Sequence, residues 1–333
     1  MTRFVNQKSI RVVLAADSRF VMPLSVAMSS AALNCDPQRN ITFYVLQHDI
    51  GTQLRQQVER SLASTGHTKH DVVWLDVSFA NLDQFKTHGH FNAMTYARLL
   101  IPSLLPLDVE KVLYLDSDLV VVGDIAELWD LECGEKTLLA AQDRIVESVS
   151  GFLGLSNYRD LGIPADSKYF NAGVLLINLK KWRSDKVSDK VFEYLRQHQK
   201  IIRMVDQEAL NAVLFDSWGQ LECRWNWQVG RLNPFWPSKR TSVAPEGGAE
   251  KSIIHFTTAV KPWLPGCRYE EKRVFFEYLD LTEWAGWRVP LSREAMASCR
   301  SGAKIIEQIV RRLGGRALRT MKLRRPYVKQ ALG

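Results

Sequence analysis

The fold of this chain can be inferred from one stretch, Val109-Glu-Lys-Val-Leu-Tyr-Leu-Asp-Ser-Asp118. The apolar run at 112–115 has the composition of a buried strand. Two carboxylates, Asp116 and Asp118, follow it directly. If the strand geometry persists to its end, both carboxylates lie on one side of a sheet edge, because strand side chains alternate between faces.

Two carboxylates this close favour either a shared proton or a bound cation. Oxygen ligands suit a hard divalent ion, magnesium or manganese, and such an ion binds phosphate groups. A solvated turn is the alternative, because Asp-x-Asp alone is a common pattern. The position after a buried strand favours a site, since open sheets bind ligands at the ends of their strands.

Apolar runs and amphipathic segments alternate along the chain. Strands are predicted at Arg11–Asp17, Ile41–Gln47, Val72–Val77, Val112–Leu115, Leu138–Asp143, Tyr169–Leu179 and Ser252–Phe256. Helices are predicted at Pro23–Asn34, Thr52–Thr65, Thr95–Pro102, Lys180–His198 and Asp206–Phe215. This alternation is typical of a parallel sheet with crossover helices, so the predicted fold class is α/β.

The composition is that of an ordinary globular chain, with 46% hydrophobic and 24% charged residues among 333. No apolar run is long enough to span a bilayer, and residues 1–8 lack the apolar core of a signal peptide. The 5 cysteines are scattered, without metal-type spacing. We therefore expect a reduced, cytoplasmic protein.

The positive charge is concentrated at the C-terminus. Residues 301–333 hold nine Lys or Arg and one Glu, a net charge equal to the +8 of the whole chain. An apolar stripe from Ile305 to Leu313 makes this segment amphipathic, which suits an anionic membrane surface. Nucleic acid is disfavoured because Tyr327 is the one aromatic residue there. We expect a main domain at 1–290 and a basic amphipathic tail at 291–333 that anchors the protein to the inner face of the membrane; a disordered solubilising tail is the alternative.

Six motifs in sequence resemble the retaining glycosyltransferases of family 8, which includes bacterial lipooligosaccharide galactosyltransferases and, more distantly, glycogenin. The motifs are Val12–Asp17, Thr95–Arg98, Lys111–Asp118, Tyr169–Asn178, Asp206-Gln207 and His255–Trp263. The resemblance implies a GT-A fold with a Rossmann-like, mostly parallel sheet flanked by helices. It also implies a UDP-galactose or UDP-glucose donor, a glycan or glycolipid acceptor and a bound Mn²⁺, with Mg²⁺ possible.

The resemblance assigns roles to individual positions. The donor-binding residues it implies are Ala15, Asp17, Arg98, Ser117, Asn171, Gly173 and Lys261. The metal ligands it implies are Asp116, Asp118 and His255. The residues it implies at the reacting face of the sugar, taken as catalytic candidates, are Asp143, Asp206 and Gln207.

Elementary chemistry agrees with these roles but leaves alternatives open. A diphosphate leaves without a general acid if a divalent ion and a lysine neutralise its charge. Two carboxylates with an imidazole favour manganese over magnesium. His255 is alternatively a core histidine, Arg98 the partner of a strand-end acid, and Asp143 a helix N-cap.

Retention of configuration is compatible with two mechanisms. Double displacement needs a carboxylate nucleophile on the sugar face opposite the leaving group. The residue expected nearest is Gln207, whose amide is a poor nucleophile, so front-face substitution fits better. Asp206 and Asp143 are the nucleophile candidates otherwise.

Two departures from the family pattern bear on donor binding. Ser18-Arg19 stand where close relatives have Asp-Asn, which affects the base and ribose contacts. Thr258 stands where the family usually has Gly, and a residue with a Cβ does not adopt positive φ cheaply. Contact between the backbone at Thr258 and the diphosphate is therefore expected to differ.

The predicted function is retaining transfer of galactose or glucose from a UDP-sugar to a lipid-linked glycan such as lipopolysaccharide or lipooligosaccharide. The alternatives are a metal-dependent sugar nucleotidyltransferase and a non-catalytic nucleotide-sugar-binding relative. The acceptor is expected against residues 230–250 and the C-terminal part of the chain, where stacking on sugar rings is predicted for Trp225, Trp227, Trp236 and Trp263.

Overall fold

The structure, a computed structural model, describes residues 9–67, 69–78, 82, 84, 85, 87, 93–230 and 250–293. Most of the predicted acceptor loop, 231–249, and all but the first three residues of the predicted tail, 294–333, lie outside the described residues. The described residues divide into two compact units, the first comprising 9–261 and 269–287 and the second 262–268 and 288–293. The predicted domain boundary near residue 290 stays a prediction.

The strands of the described residues are β1 to β10 in chain order. They are Ser9–Asp17, Asn40–His48, His70–Asp76, Lys111–Leu115, Leu119–Val121, Leu138–Gln142, Phe170–Asn178, Trp218–Leu221, Trp227–Gln228 and Ile253–His255. The helices are α1 to α8, namely Val21–Leu33, Thr52–Ala63, Ile101–Leu104, Ile125–Trp129, Leu179–Ser184, Val187–His198, Val205–Val213 and Lys272–Leu279. Short 3₁₀ segments lie at Ser18–Phe20, Ala93–Leu100 and Cys223–Asn226.

Seven of the described strands form the central sheet, in the order β3-β2-β1-β4-β7-β6-β8. Only β7 runs antiparallel to its neighbours, so four of the six adjacent pairs are parallel. The predicted mostly parallel sheet is confirmed. A smaller sheet, in the order β5-β10-β9, lies within the same unit.

The hydrophobic core lies on both faces of the central sheet. Along β1, Val13 belongs to the cluster on one face and Val12 to the cluster on the other. Both are fully buried. Because both faces are covered, the central strands are continuously apolar rather than alternating with polar residues.

Strand direction brings the polar motifs to one edge of the sheet. β1 and β4 are parallel, with Val13 opposite Tyr114, so their carboxyl ends meet there. β7 is antiparallel to β4 and therefore begins at that edge, where the backbone N–H of Asp116 donates to the carbonyl of Gly173 at 2.8 Å. The ends of β1 and β4 and the start of β7 thus enclose one site.

Two predicted helices differ from the structure. The segment predicted as one helix, 180–198, is two helices separated at Lys186, whose φ is +53°. Trp182 and Val191 would lie on opposite faces of one continuous helix, and the break lets both be buried. Pro102 does not end a helix but lies in the first turn of α3, where its missing N–H is tolerated.

Candidate active site

The acid pair lies in a turn between β4 and β5. The condition that the strand geometry persists through the pair is not met, because β4 ends at Leu115. His255 reaches the turn because β10 pairs with β5, with His255 opposite Leu119. His255 Nε2 lies 3.1 Å from Asp118 Oδ1 and 3.6 Å from Asp116 Oδ2. One possible ligand atom from each of the three residues lies within 4.8 Å of the others.

The cluster has features that fit a divalent cation. Asp118 Oδ1 is buried and faces the ring nitrogen of His255 rather than the ammonium of Lys261, which contacts Oδ2. The space is tight: a Cβ on Gly173 would lie 2.0 Å from His255 Cε1 and 2.8 Å from Asp116 Oδ2, so only glycine is compatible with this arrangement. Two carboxylate oxygens and an imidazole nitrogen form a ligand set suited to Mn²⁺ and related ions.

Lys261 lies against the acid pair and is almost fully buried. Its ammonium group donates to Asp118 Oδ2 and to the carbonyl of Phe256. Burial by itself raises the pKa of Asp118, but the charges and hydrogen bonds of Lys261 and His255 hold that pKa well below its usual range. Asp118 is therefore ionised and available as a ligand.

Arg98 connects the acid pair to Asp206. Its Nη2 donates to Asp116 Oδ1 at 3.0 Å, its Nε lies 2.8 Å from Asp206 Oδ2, and its guanidinium stacks 4.5 Å from the Tyr114 ring. The alternative in which Arg98 pairs with a strand-end acid is confirmed as a contact. Burial raises the pKa of Asp206 to about 6, with Arg98 opposing this and Asp116 adding to it.

Asp143 is saturated with hydrogen bonds. Its Oδ1 accepts from the backbone N–H groups of Ile145 and Val146, both at 2.8 Å. Its Oδ2 accepts from Asn171 Nδ2 at 3.0 Å and from Gln207 Nε2 at 3.1 Å. The alternative of a helix N-cap is wrong, because no helix begins at Asp143, which caps a turn instead.

Gln207 is held at both ends of its amide. Besides donating to Asp143, it accepts a hydrogen bond at 3.0 Å from the backbone N–H of Ala172. Val205, two residues earlier, has φ +44°, a left-handed conformation that is unusual for a β-branched residue. Both Asp206 and Gln207, which directly follow this strained residue at the start of α7, lie in the cavity wall. Sequence patterns did not indicate the strained turn.

The opposite end of the cavity is formed by the end of β1. Ser117 Oγ donates to the carbonyl of Ala15 at 2.8 Å. Asp17 accepts from the backbone N–H of Arg19 at 3.0 Å and from its guanidinium Nη2 at 2.6 Å. The Arg19 departure thus places a cation on the carboxylate that the resemblance assigned to the nucleoside.

The Thr258 departure does not create a strained backbone. The non-glycine residues with positive φ in the described chain are Asp49, Lys186 and Val205, so Thr258 adopts an ordinary conformation. Its methyl group packs toward Gly230, where an added Cβ would approach to 2.4 Å. The turn therefore differs from one built on glycine, and its contact with a diphosphate stays a prediction.

All thirteen predicted site residues line one cavity of about 440 Å³. Thr258, for which a diphosphate contact was expected, also lines it, whereas sequence reasoning missed Tyr114 and the other residues of the 257–260 turn. It also missed Asn226, which lies behind the wall and accepts from His255 Nδ1 at 2.9 Å. Asn226 stands between two tryptophans, and no spacing pattern distinguishes it.

The arrangement is that of a known class of enzyme. A solved structure of the galactosyltransferase LgtC, in complex with donor and acceptor sugar analogues, is similar with a TM-score of 0.69 and 28% identity. The similarity covers 85% of this chain and 98% of that one. The chain has the GT-A fold of a glycosyltransferase, as predicted.

The sequence places it more narrowly. It belongs to glycosyl transferase family 8, whose model matches residues 11–266. General stress protein A of Bacillus subtilis is 26% identical over 83% of this chain and 94% of its own length. The lipopolysaccharide 1,3-galactosyltransferase of Salmonella typhimurium is 26% identical over 81% and 77%. Glycosyltransferase GlyE of Streptococcus pneumoniae is 30% identical over 82%, and the chain spans 61% of its length. Within the part of the chain that the structure describes, no helix has the length and apolar character to cross a bilayer.

Proposed function

We propose that this chain transfers galactose or glucose from a UDP-sugar to a glycan acceptor, with retention of configuration and with the help of a divalent ion. The observation that carries the proposal is the convergence of Asp116, Asp118 and His255 with Lys261 in one cavity. Such a group is suited to a diphosphate, because it supplies both a cation site and a buried ammonium.

The donor diphosphate is expected at the acid pair. Asp116, Asp118 and His255 would hold the ion, Mn²⁺ by preference, and the ion would offset negative charge on the departing UDP. Lys261 contacts Asp118, so its ammonium lies beside the place where the diphosphate oxygens are expected. Its ammonium adds a second positive charge that stabilises the leaving group.

The sugar is expected between β7 and α7. Asn171 and Gln207 both donate to Asp143, which fixes three polar side chains on one wall of the cavity. Arg98 is held in place by Asp116 and Asp206 and is buried beside them. These groups have fixed hydrogen-bonding directions and are suited to recognising hydroxyl groups of a hexose.

The cavity wall favours front-face substitution. Asp143 makes four hydrogen bonds, which lowers the reactivity of its oxygens as nucleophiles. Asp206 is buried and paired with Arg98, and Gln207 carries an amide. With no free carboxylate among these three, the leaving phosphate oxygen is the proposed acceptor of the proton from the acceptor hydroxyl.

The nucleoside is expected beside Ala15, Asp17 and Ser117. These residues line the end of the cavity formed by β1 and the turn after β4. Asp17 is occupied by Arg19, so a uridine would share this carboxylate with a guanidinium or displace it.

The proposed acceptor is a lipid-linked glycan of the lipopolysaccharide type. Support comes from the relative in Salmonella typhimurium named as a lipopolysaccharide 1,3-galactosyltransferase and from the basic, amphipathic character of residues 301–333. A tail of this kind would hold the enzyme at the inner face of the membrane, where anionic lipid attracts it.

A direct test is to incubate the full-length protein with Mn²⁺ and either UDP-galactose or UDP-glucose and to measure released UDP. We expect release with one or both sugars and loss of release in Asp118→Asn. Formation of pyrophosphate from UTP and a sugar phosphate would instead indicate a nucleotidyltransferase. Binding of UDP-sugar without turnover, with and without glycolipid acceptors, would indicate a non-catalytic relative.

A further inference from the structure

Asn226 is buried directly behind the candidate metal site. It ends the 3₁₀ segment Cys223–Asn226 and is 1% exposed. Both ends of its amide are used: Oδ1 lies 2.9 Å from His255 Nδ1, and Nδ2 donates to Asn171 Oδ1 at 2.9 Å. Asn226 therefore joins the imidazole at the acid pair to the amide beside Asp143.

The orientation of these amides is determined by groups that have one hydrogen-bonding role. The backbone N–H of Gly173 donates to Asn171 Oδ1 at 3.0 Å, and the Asp143 carboxylate accepts from Asn171 Nδ2. Since a backbone N–H can only donate, Asn171 is fixed with Oδ1 toward Gly173 and Nδ2 toward Asp143. Asn171 Oδ1 then requires a donor from Asn226, which turns the amide oxygen of Asn226 toward His255.

This orientation determines the proton on His255. Facing an amide oxygen, Nδ1 must carry hydrogen, because two acceptors do not bond to each other. Nε2 is then the nitrogen that faces the acid pair, 3.1 Å from Asp118 Oδ1, and a bound ion would take the lone pair of this nitrogen. A metal-binding imidazole needs this arrangement, with one nitrogen bare and the other donating to a fixed partner.

We propose that Asn226 is a positioning residue that holds His255 with Nε2 directed at the divalent ion and that links this imidazole, through Asn171, to the sugar-binding wall at Asp143. The inference rests on the proposed function, since it assigns a role toward the ion that Asp116, Asp118 and His255 would hold. The role toward His255 depends on the oxygen of the Asn226 amide, and the role toward Asn171 depends on its nitrogen. Substitutions at Asn226 can therefore separate the two roles.

The test compares Asn226→Leu with Asn226→Asp in the full-length protein. The leucine variant loses both hydrogen bonds, and Mn²⁺ affinity, measured from the EPR signal of free Mn²⁺, should fall about 10- to 100-fold. The aspartate variant keeps an acceptor for His255 Nδ1–H, so Mn²⁺ affinity should stay close to that of wild type. It loses the donor to Asn171, so UDP-galactose affinity should fall about tenfold while UDP affinity is retained.

A matched control is Asn157→Leu, which removes another buried asparagine whose Oδ1 accepts from Tyr194 at 2.9 Å. This control should lose stability without losing Mn²⁺ affinity. Equal Mn²⁺ affinity in wild type and Asn226→Leu would overturn the inference, and so would equal losses in both Asn226 variants. If Asn226→Leu does not fold, the Mn²⁺ and UDP-galactose affinities of Asn226→Asp decide the question. Loss of Mn²⁺ affinity in this variant contradicts the proposal. Wild-type protein that binds no Mn²⁺ would instead overturn the proposed metal site itself.

Discussion

Lys261 donates a hydrogen bond to Asp118 from inside the protein, and both side chains are largely buried. The ammonium of Lys261 therefore neutralises part of the negative charge of Asp116 and Asp118, the two carboxylates that would also hold a divalent ion. A site that binds both a cation and a diphosphate needs such balancing, because two buried carboxylates without a partner are costly.

Removal of Lys261 should destabilise the metal-free protein and make its stability depend on Mn²⁺. Lys261→Met leaves Asp118 buried without its lysine, a change that costs about 3–5 kcal/mol. We expect a lower melting temperature in EDTA and a larger increase on adding Mn²⁺ than in wild type. Lys251→Met is the control, because its ion pair with Glu271 is partly exposed. Equal melting shifts for the two variants would contradict this account of Lys261.

The stability of the metal-free protein should fall as pH rises from about 4 to about 6. Burial raises the pKa of Asp206 from 3.8 to about 6, so the folded state holds this proton more tightly than the unfolded chain. A shift of this size corresponds to roughly 3 kcal/mol, present at low pH and lost as Asp206 ionises. Urea denaturation at pH 4, 5, 6 and 7 should show a flatter dependence in Asp206→Asn, and identical slopes in the two proteins would refute the assignment.

Gln207 should be dispensable for the stereochemical outcome. Gln207→Ala removes the hydrogen bonds to Asp143 and to Ala172 N–H, which loosens the sugar wall and lowers kcat. Because the amide is not the proposed nucleophile, turnover should remain measurable, with retained configuration in the product by NMR. Gln220→Ala, which alters a surface contact with Lys168, is the control. A glycosyl adduct trapped on Asp206 or Asp143 would support double displacement instead.

Truncation of residues 301–333 should separate membrane binding from transfer. These residues carry the whole net charge of +8, and half of those charges near an anionic surface would give about 4 kcal/mol. We expect the shortened protein to keep UDP-sugar turnover with a soluble acceptor and to lose co-sedimentation with anionic vesicles. Neutral vesicles are the control. Continued sedimentation with anionic vesicles would rule out the tail as the anchor.

The sequence indicates the edge of the sheet better than the details of its wall. Apolar runs that end in Asp17 and Asp116 predict strands whose polar ends share a site, and the structure confirms their neighbouring positions. The reversed direction of β7 is not predictable from its pattern, because an apolar run reads the same in either direction.

Other features depend on contacts between distant parts of the chain. Asn226 meets His255 only because β9 pairs with β10, and a single asparagine carries no periodic signal. The break at Lys186, by contrast, could have been predicted from the sequence. The buried faces of Trp182 and Val191 are incompatible with one straight helix, so counting residues between apolar positions predicts the break.

The most direct test of the central claim is the dependence of UDP release on Mn²⁺ at the Asp116, Asp118 and His255 cluster. Wild-type protein and Asp118→Asn are compared in EDTA and during Mn²⁺ titration, with melting curves to show that both are folded. The account predicts no release in EDTA, saturable recovery of the wild type with Mn²⁺, and no recovery of Asp118→Asn at any concentration. Full activity of the wild type in excess chelator, or an active Asp118→Asn variant, would contradict it.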